Sequence, residues 1–385
     1  DAQESRGLGD VYKRQPYSFP VSGVEISNRI VLAPMTTFSG NDDGTTTDAE
    51  VAYYRERNES AGLLITACAY VISHGKGFHG QIGADSDALI PSLKRIADAL
   101  KANGNKAVLQ IYHGGRMSPP EELVDGQSIS ASAVAAVREG AQIPREMKAT
   151  EIEETIVAFG EATRRAIEAG FDGVEIHGAN TYLLQQFFSP HSNRRTDKWG
   201  GDLKKRMAFP LAIVDAVIKA TTHSLHPFLV GYRISPEEME NPGITMEDTL
   251  HFVAALSKKQ LDYLHVSVMD FWAGSMRDKN DTAARAMIIA AKVGHILPVI
   301  GVGSIHTPEE VDRVFSANIP LIAMGRELLM EPHWLTKVKN NEVDQISTEL
   351  DVSAQDVLKI PTPLWNELIS RTGWLPLKKQ STRSI

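Results

Sequence analysis

One cysteine, Cys68, stands in 385 residues. That scarcity excludes an intrachain disulfide, a Cys-ligated zinc site and an iron–sulfur cluster held within this chain, and it fits a reducing, cytoplasmic setting. No apolar run approaches the ~20 residues needed to span a bilayer, so no membrane span is expected. A Lys/Arg block is missing too: 40 basic against 48 acidic side chains give a net charge of −8, which disfavours a nucleic-acid partner. The chain contains no Walker phosphate loop, since its one Gly-Lys pair, Gly75-Lys76, is followed by Gly77. It also lacks G-x-S-x-G and H-E-x-x-H, leaving esterase and zincin readings without support. The 12 histidines fall at no metal-ligand spacing, so no metal is expected. Residues 1–15 begin without Met and lack the apolar segment of a secretory signal. They read as a disordered tail, native or added, outside the fold.

With 42% hydrophobic and 23% charged residues, what remains is a globular chain long enough for a large core. From Arg29 onward, short apolar runs alternate with amphipathic segments, the pattern of parallel strands joined by crossover helices. The runs are 29–33, 62–67, 106–111, 172–176, 228–233, 263–267, 298–301 and 320–324. Eight strands close a ring, so the fold class is a (β/α)8 TIM barrel, spanning 16–342 with an extension over 343–385. Thr150-Glu-Ile-Glu153 reads as a capping box, and Thr307-Pro308 as a second helix start with Pro at its first position. The connections 112–149 and 180–205 exceed ordinary length, pointing to long loops at the C-terminal face as substrate lids, with inserted hairpins as the alternative.

Ligands of such barrels bind where strands end. The fourth run ends in His177-Gly-Ala-Asn180-Thr-Tyr182. His177 and Asn180 carry N–H donors three residues apart, which converge if the chain turns helical there. Tyr182, with an ordinary pKa of about 10, can supply a proton at neutral pH. Any one of them alone is more often structural; the cluster is what suggests catalysis. Runs seven and eight end in Gly301-Val-Gly303 and Met324-Gly325-Arg326, a phosphate-binding pattern, and Arg233 ends run five at the same mouth. Gly75-Lys-Gly77-Phe-His-Gly80 matches G-x-G-x-x-G, but the next helix starts only near Pro91, too late to receive a pyrophosphate. A mobile Gly-rich loop is the better reading.

In Asn28-Arg-Ile-Val-Leu-Ala-Pro-Met-Thr36, Gln110-Ile-Tyr-His-Gly-Gly-Arg116, His177-Gly-Ala-Asn180-Thr-Tyr182, Ser189-Pro-His-Ser-Asn-Arg-Arg-Thr-Asp197 and Gly325-Arg-Glu-Leu-Leu329, the chain resembles the Old Yellow Enzyme family of FMN-dependent ene-reductases. The resemblance implies FMN as a tightly bound, non-covalent cofactor, NAD(P)H as co-substrate and an activated alkene (an enone, enal, maleimide or nitroalkene) as small-molecule substrate. Ala33, Pro34, Met35 and Thr36 would line the flavin, Cys68 would meet it through its backbone, Gln110 would bond its pyrimidine edge and Arg233 would support the anionic reduced form. Gly301, Gly303, Gly325 and Arg326 would hold the phosphate. His177 and Asn180 would bind the substrate's oxygen beside Phe38, and Tyr182 would protonate the α-carbon. A flavin store or sensor without an alkene substrate, and a flavin-free barrel lyase, are the alternatives. The extension is expected to cover a barrel end or a subunit contact; a homo-oligomer is compatible with the sequence.

Overall fold

The computed structural model describes residues 15–378; the first fourteen residues of the expected tail lie outside them. Eight parallel strands form a closed ring: β1 (Ile30–Leu32), β2 (Leu63–Ile65), β3 (Lys106–Tyr112), β4 (Gly173–Gly178), β5 (Leu229–Ile234), β6 (Tyr263–Val266), β7 (Val299–Gly301) and β8 (Leu321–Met324). Closure is explicit, since β1 pairs with both β8 and β2, and β2 pairs onward with β3. Each strand lies within a run identified from the sequence or overruns it by one or two residues.

The interior changes character with height. Val31, Leu63, Val108, Leu229, Tyr263, Ile300 and Leu321 form an apolar floor, plugged from below by Phe19, Val24 and Ile26 of an N-terminal hairpin. Two residues further along the strands, on the same face because strand side chains alternate, stand Gln110, Glu175 and His265. Arg233 is in register with His265 on one side and His177 on the other. A dry base thus carries an ionisable upper tier.

The helices start largely as their sequences direct. Thr307 Oγ1 accepts from Glu310 N–H with Pro308 at the first position, and Asp202 caps Leu203–Ala220 by accepting from Lys205 N–H. The capping box placed at Thr150 is corrected: the helix runs Ala149–Glu168, and Glu151 reaches back to Lys148 N–H (2.7 Å). Thr150 is already inside the first turn. The long connection after β3 is not a hairpin; its two short strands, Ile129–Ser130 and Arg145–Glu146, pair in parallel. The Gly75–Gly80 loop is packed against the barrel rim, with Gly77 N–H donating to Gln81 Oε1 (2.7 Å).

The segment after 342 joins the main core through Leu350, Leu358, Ile360, Leu364, Trp365 and Leu368. Arg57, fully buried, ties it down by donating to Leu358 O (3.0 Å), Tyr53 O (3.1 Å) and Leu329 O (3.2 Å).

Candidate active site

A cavity of about 1290 Å3 opens at the C-terminal ends of the strands. Pro34, Met35, Thr36, Phe38, Asn180, Tyr182 and Arg233 all line it, so residues separated by up to two hundred positions meet there. The C-terminal segment, expected to cover a barrel end or a subunit contact, contributes Leu364, Arg371 and Trp374 to the lining.

Beneath the mouth lies a buried polar relay. Glu175, wholly enclosed, accepts from Gln110 Nε2 (2.8 Å) and pairs with His265 Nδ1 (3.0 Å). Burial alone would push its carboxyl up, but His265 and Arg233 outweigh that and hold it below the usual glutamate value. With one amide N–H given to Glu175, Gln110 keeps a second N–H and its carbonyl oxygen for another partner. Arg233 has no protein partner at Nε, an unspent donor at the cavity. Glu175 is a site residue that the motifs along the chain do not mark. Its signal was a carboxylate two residues before His177, on the same face of an otherwise apolar strand.

His177 ends that strand. Burial, with Arg233 nearby, lowers its pKa to about 3, so the ring is neutral at any ordinary pH. Ala179 N–H points at Nδ1 (3.3 Å), which places the single ring proton on Nε2. The turn beyond differs from the helix expected to bring His177 and Asn180 together. Asn180 and Thr181 both adopt left-handed backbone (φ 56° and 69°), and the next helix, Leu183–Phe188, starts only after Tyr182. Two serines that the sequence did not flag fix Asn180: its N–H donates to Ser235 Oγ (2.9 Å), and Ser267 Oγ donates to its Oδ1 (3.0 Å). The side-chain NH2 group is thereby the end left to donate.

The Tyr182 ring meets His177 edge-on at 5.0 Å and Tyr112 at 4.5 Å. Burial first, then the neighbouring Cys68, raise its pKa to about 12. Cys68 lies below Tyr182 in a small cluster with Tyr70 and Tyr112; its carbonyl accepts from Gln81 Nε2 (3.2 Å), and burial pushes its thiol up to about 12.

The residues expected at a phosphate split in placement. Ala33, at the end of β1, donates its N–H to Met324 O (3.0 Å), which sets Met35 beside the end of β8. Arg326 donates to Ser304 Oγ (2.7 Å), and Gly325 precedes the short helix Arg326–Met330. Gly303 requires glycine, with φ 122° and a would-be Cβ 2.7 Å from Val268 O. Gly301 instead faces the helix layer, where a Cβ would meet the Phe271 ring at 2.6 Å. Among the described residues no metal-holding cluster of His, Cys, Asp and Glu occurs, and no helix is long and apolar enough to cross a membrane.

A closed parallel barrel whose mouth joins a half-buried arginine with a free Nε–H, a neutral imidazole and a protonated phenol has the architecture of a flavin-dependent oxidoreductase. The chain belongs to the NADH:flavin oxidoreductase / NADH oxidase family, whose profile matches residues 17–345. Its cofactor is FMN and its co-substrate a reduced nicotinamide. It is 49% identical over 365 residues to a probable NADH-dependent flavin oxidoreductase of Bacillus subtilis, covering 94% of this chain and 97% of that one. It is 45% identical to an NADH:acrylate oxidoreductase of Vibrio harveyi, covering 89% of this chain but 34% of that longer protein. Among solved structures, morphinone reductase in complex with tetrahydroNAD superposes with a TM-score of 0.72 at 25% identity, over 86% of this chain and 90% of that one.

Proposed function

We propose that this protein is an ene-reductase, passing reducing equivalents from NAD(P)H to an activated alkene, with Tyr182 as the proton donor. The observation that carries the reading is that Tyr182, Asn180 and Arg233 line one cavity, with the neutral ring of His177 packed edge-on against Tyr182 at 5.0 Å and a free Nε–H on Arg233. The acrylate named for the Vibrio relative agrees with an activated C=C substrate, although this chain matches about a third of that protein. When bound, FMN supplies the hydride chemistry, accepting a hydride from the nicotinamide and delivering one to the β-carbon of the alkene.

The residues present fit that group. Arg233 offers its free Nε–H and a half-buried positive charge at the cavity wall, which favours a ligand that becomes anionic on reduction. Gln110 offers the amide oxygen left over from its bond to Glu175, Thr36 a hydroxyl that tunes the potential, and Ala33, Pro34 and Met35 a wall. Cys68 contributes backbone. The Gly303 and Gly325 loops with Arg326 hold the phosphate; Gly301 assists only through its backbone.

Toward substrate, His177 Nε2–H and the Asn180 amide donate to the carbonyl or nitro oxygen. Negative charge grows there as the alkene is reduced, so these bonds strengthen in the transition state more than in the ground state. Phe38 forms an apolar side of the pocket. Tyr182, protonated throughout the physiological range, then gives its proton to the α-carbon.

The test separates the half-reactions. Anaerobic NADH or NADPH should bleach the yellow protein, and cyclohexenone or an N-substituted maleimide should restore its colour. Tyr182→Phe should slow the second step by about 10^2- to 10^4-fold, the usual worth of a positioned acid, with the first step untouched. Equal slowing of both steps would remove Tyr182 from the proton-donor role.

A further inference from the structure

We propose that Tyr112 is the hydrogen-bond donor that stabilises the negative charge left on the Tyr182 oxygen once that phenol has given up its proton. The inference rests on the reading of Tyr182 as proton donor and deepens it. Tyr112 ends β3, fully buried, with its ring edge-on to that of Tyr182 at 4.5 Å and 5.7 Å from His177. Its hydroxyl is a buried polar atom without a protein partner, whereas buried phenols normally find one.

The hydroxyl is pressed into place from behind by two residues without side chains. A Cβ on Gly77 would stand 2.0 Å from the Tyr112 oxygen, and one on Gly114 would stand 3.0 Å from it. Both glycines are pinned, Gly77 N–H by Gln81 Oε1 (2.7 Å) and Gly114 N–H by Gly75 O (2.9 Å). The Gly75-Lys-Gly77 motif, which resembles a dinucleotide fingerprint, thus serves to admit a phenol. The two phenols also act on each other: against the upward push of burial, Tyr112 lowers the Tyr182 pKa, while burial and Tyr182 raise that of Tyr112.

The step balances simply. The Tyr182 O–H bond breaks as the α-carbon–H bond forms, and the O–H electron pair stays on the Tyr182 oxygen. Tyr112 O–H donates to that phenolate until a proton from water restores it. A hydrogen bond to an anion is about twice as strong as one to a neutral oxygen, so Tyr112 helps the transition state more than the resting enzyme.

In the holoenzyme, Tyr112→Phe is expected to slow cyclohexenone-dependent reoxidation at saturating alkene by about ten- to a hundredfold. KM for the alkene and the rate of reduction by NADH should stay as in the parent. The double variant Tyr112→Phe/Tyr182→Phe should be no slower than Tyr182→Phe, because Tyr112 acts through Tyr182. At neutral pH the 13Cζ resonance of Tyr182, assigned by its loss in Tyr182→Phe, should shift in Tyr112→Phe. Gly77→Ala, which keeps both phenols but displaces the Tyr112 hydroxyl, should reproduce the slow reoxidation and serves as the test should Tyr112→Phe lose FMN. A slowing under twofold, a rise in KM alone, or losses that multiply in the double variant would overturn the assignment. Parent-like reoxidation by Tyr182→Phe would instead refute the proton-donor reading and this inference with it.

Discussion

Replacing Glu175 with alanine should be the most damaging single change below the mouth. The side chain is wholly buried and answers three groups at once: Gln110 Nε2 (2.8 Å), His265 Nδ1 (3.0 Å) and the charge of Arg233, whose principal opposing charge it is. Its removal leaves the buried Gln110 and His265 donors unsatisfied, at about 1–3 kcal/mol each, and takes away the principal charge opposing Arg233, a loss of about 3–5 kcal/mol in all. With an unfolding entropy near 2 cal/mol/K per residue over 385 residues, that loss corresponds to a Tm lower by roughly 4–6 °C. Thermal unfolding of the holoprotein in excess FMN, read by far-ultraviolet circular dichroism, measures it. Pairing Glu175→Gln with Arg233→Met removes both charges, and that double variant should recover most of the stability lost in Glu175→Ala. A Tm within 1 °C of the parent for Glu175→Ala, or simple addition of losses in the double variant, would refute the idea that Glu175 exists to balance Arg233.

Because the pKa of His177 lies near 3 and that of Tyr182 near 12, the alkene half-reaction should be level from pH 5.5 to 9. Protonating His177 on the acid side or ionising Tyr182 on the alkaline side would lower the rate only outside that range, so a break near pH 6.5 that vanishes in His177→Asn would contradict the neutral-imidazole assignment. Cys68, buried with its thiol raised to about 12, should resist alkylation at pH 7.5 and react only on denaturation; stoichiometric labelling of the native protein would show the site is open. Arg57→Met leaves three backbone carbonyls without their donor and should cost about 3 kcal/mol or more. Limited proteolysis should then cut between residues 346 and 361 before the barrel, and an unchanged digestion pattern would mean that the extension is held by its apolar contacts alone.

The periodic runs were enough to place all eight strands, because a parallel strand buried on both faces must be apolar along its length and bounded by turns. Thr307-Pro308 was equally readable, since a cap is a local bargain between one side chain and the nearest N–H groups. Thr150 misled for the same reason: several polar residues there could serve, and it is Glu151, bonded back to Lys148 N–H, that marks the boundary. His177, Asn180, Tyr182 and Arg233 stood out as chemistry at strand ends, but their convergence depends on a left-handed turn at Asn180 and Thr181 that the order of residues did not announce. Only closure of the ring set Glu175 against His265, ninety positions away, laid Ser235 and Ser267 against Asn180, brought the C-terminal segment to the cavity and placed Gly77 behind Tyr112. Pattern along the chain encodes what each residue can do within a few neighbours. The pairing of distant polar groups in a dry interior is decided by which strands become adjacent, and that is a property of the closed barrel as a whole.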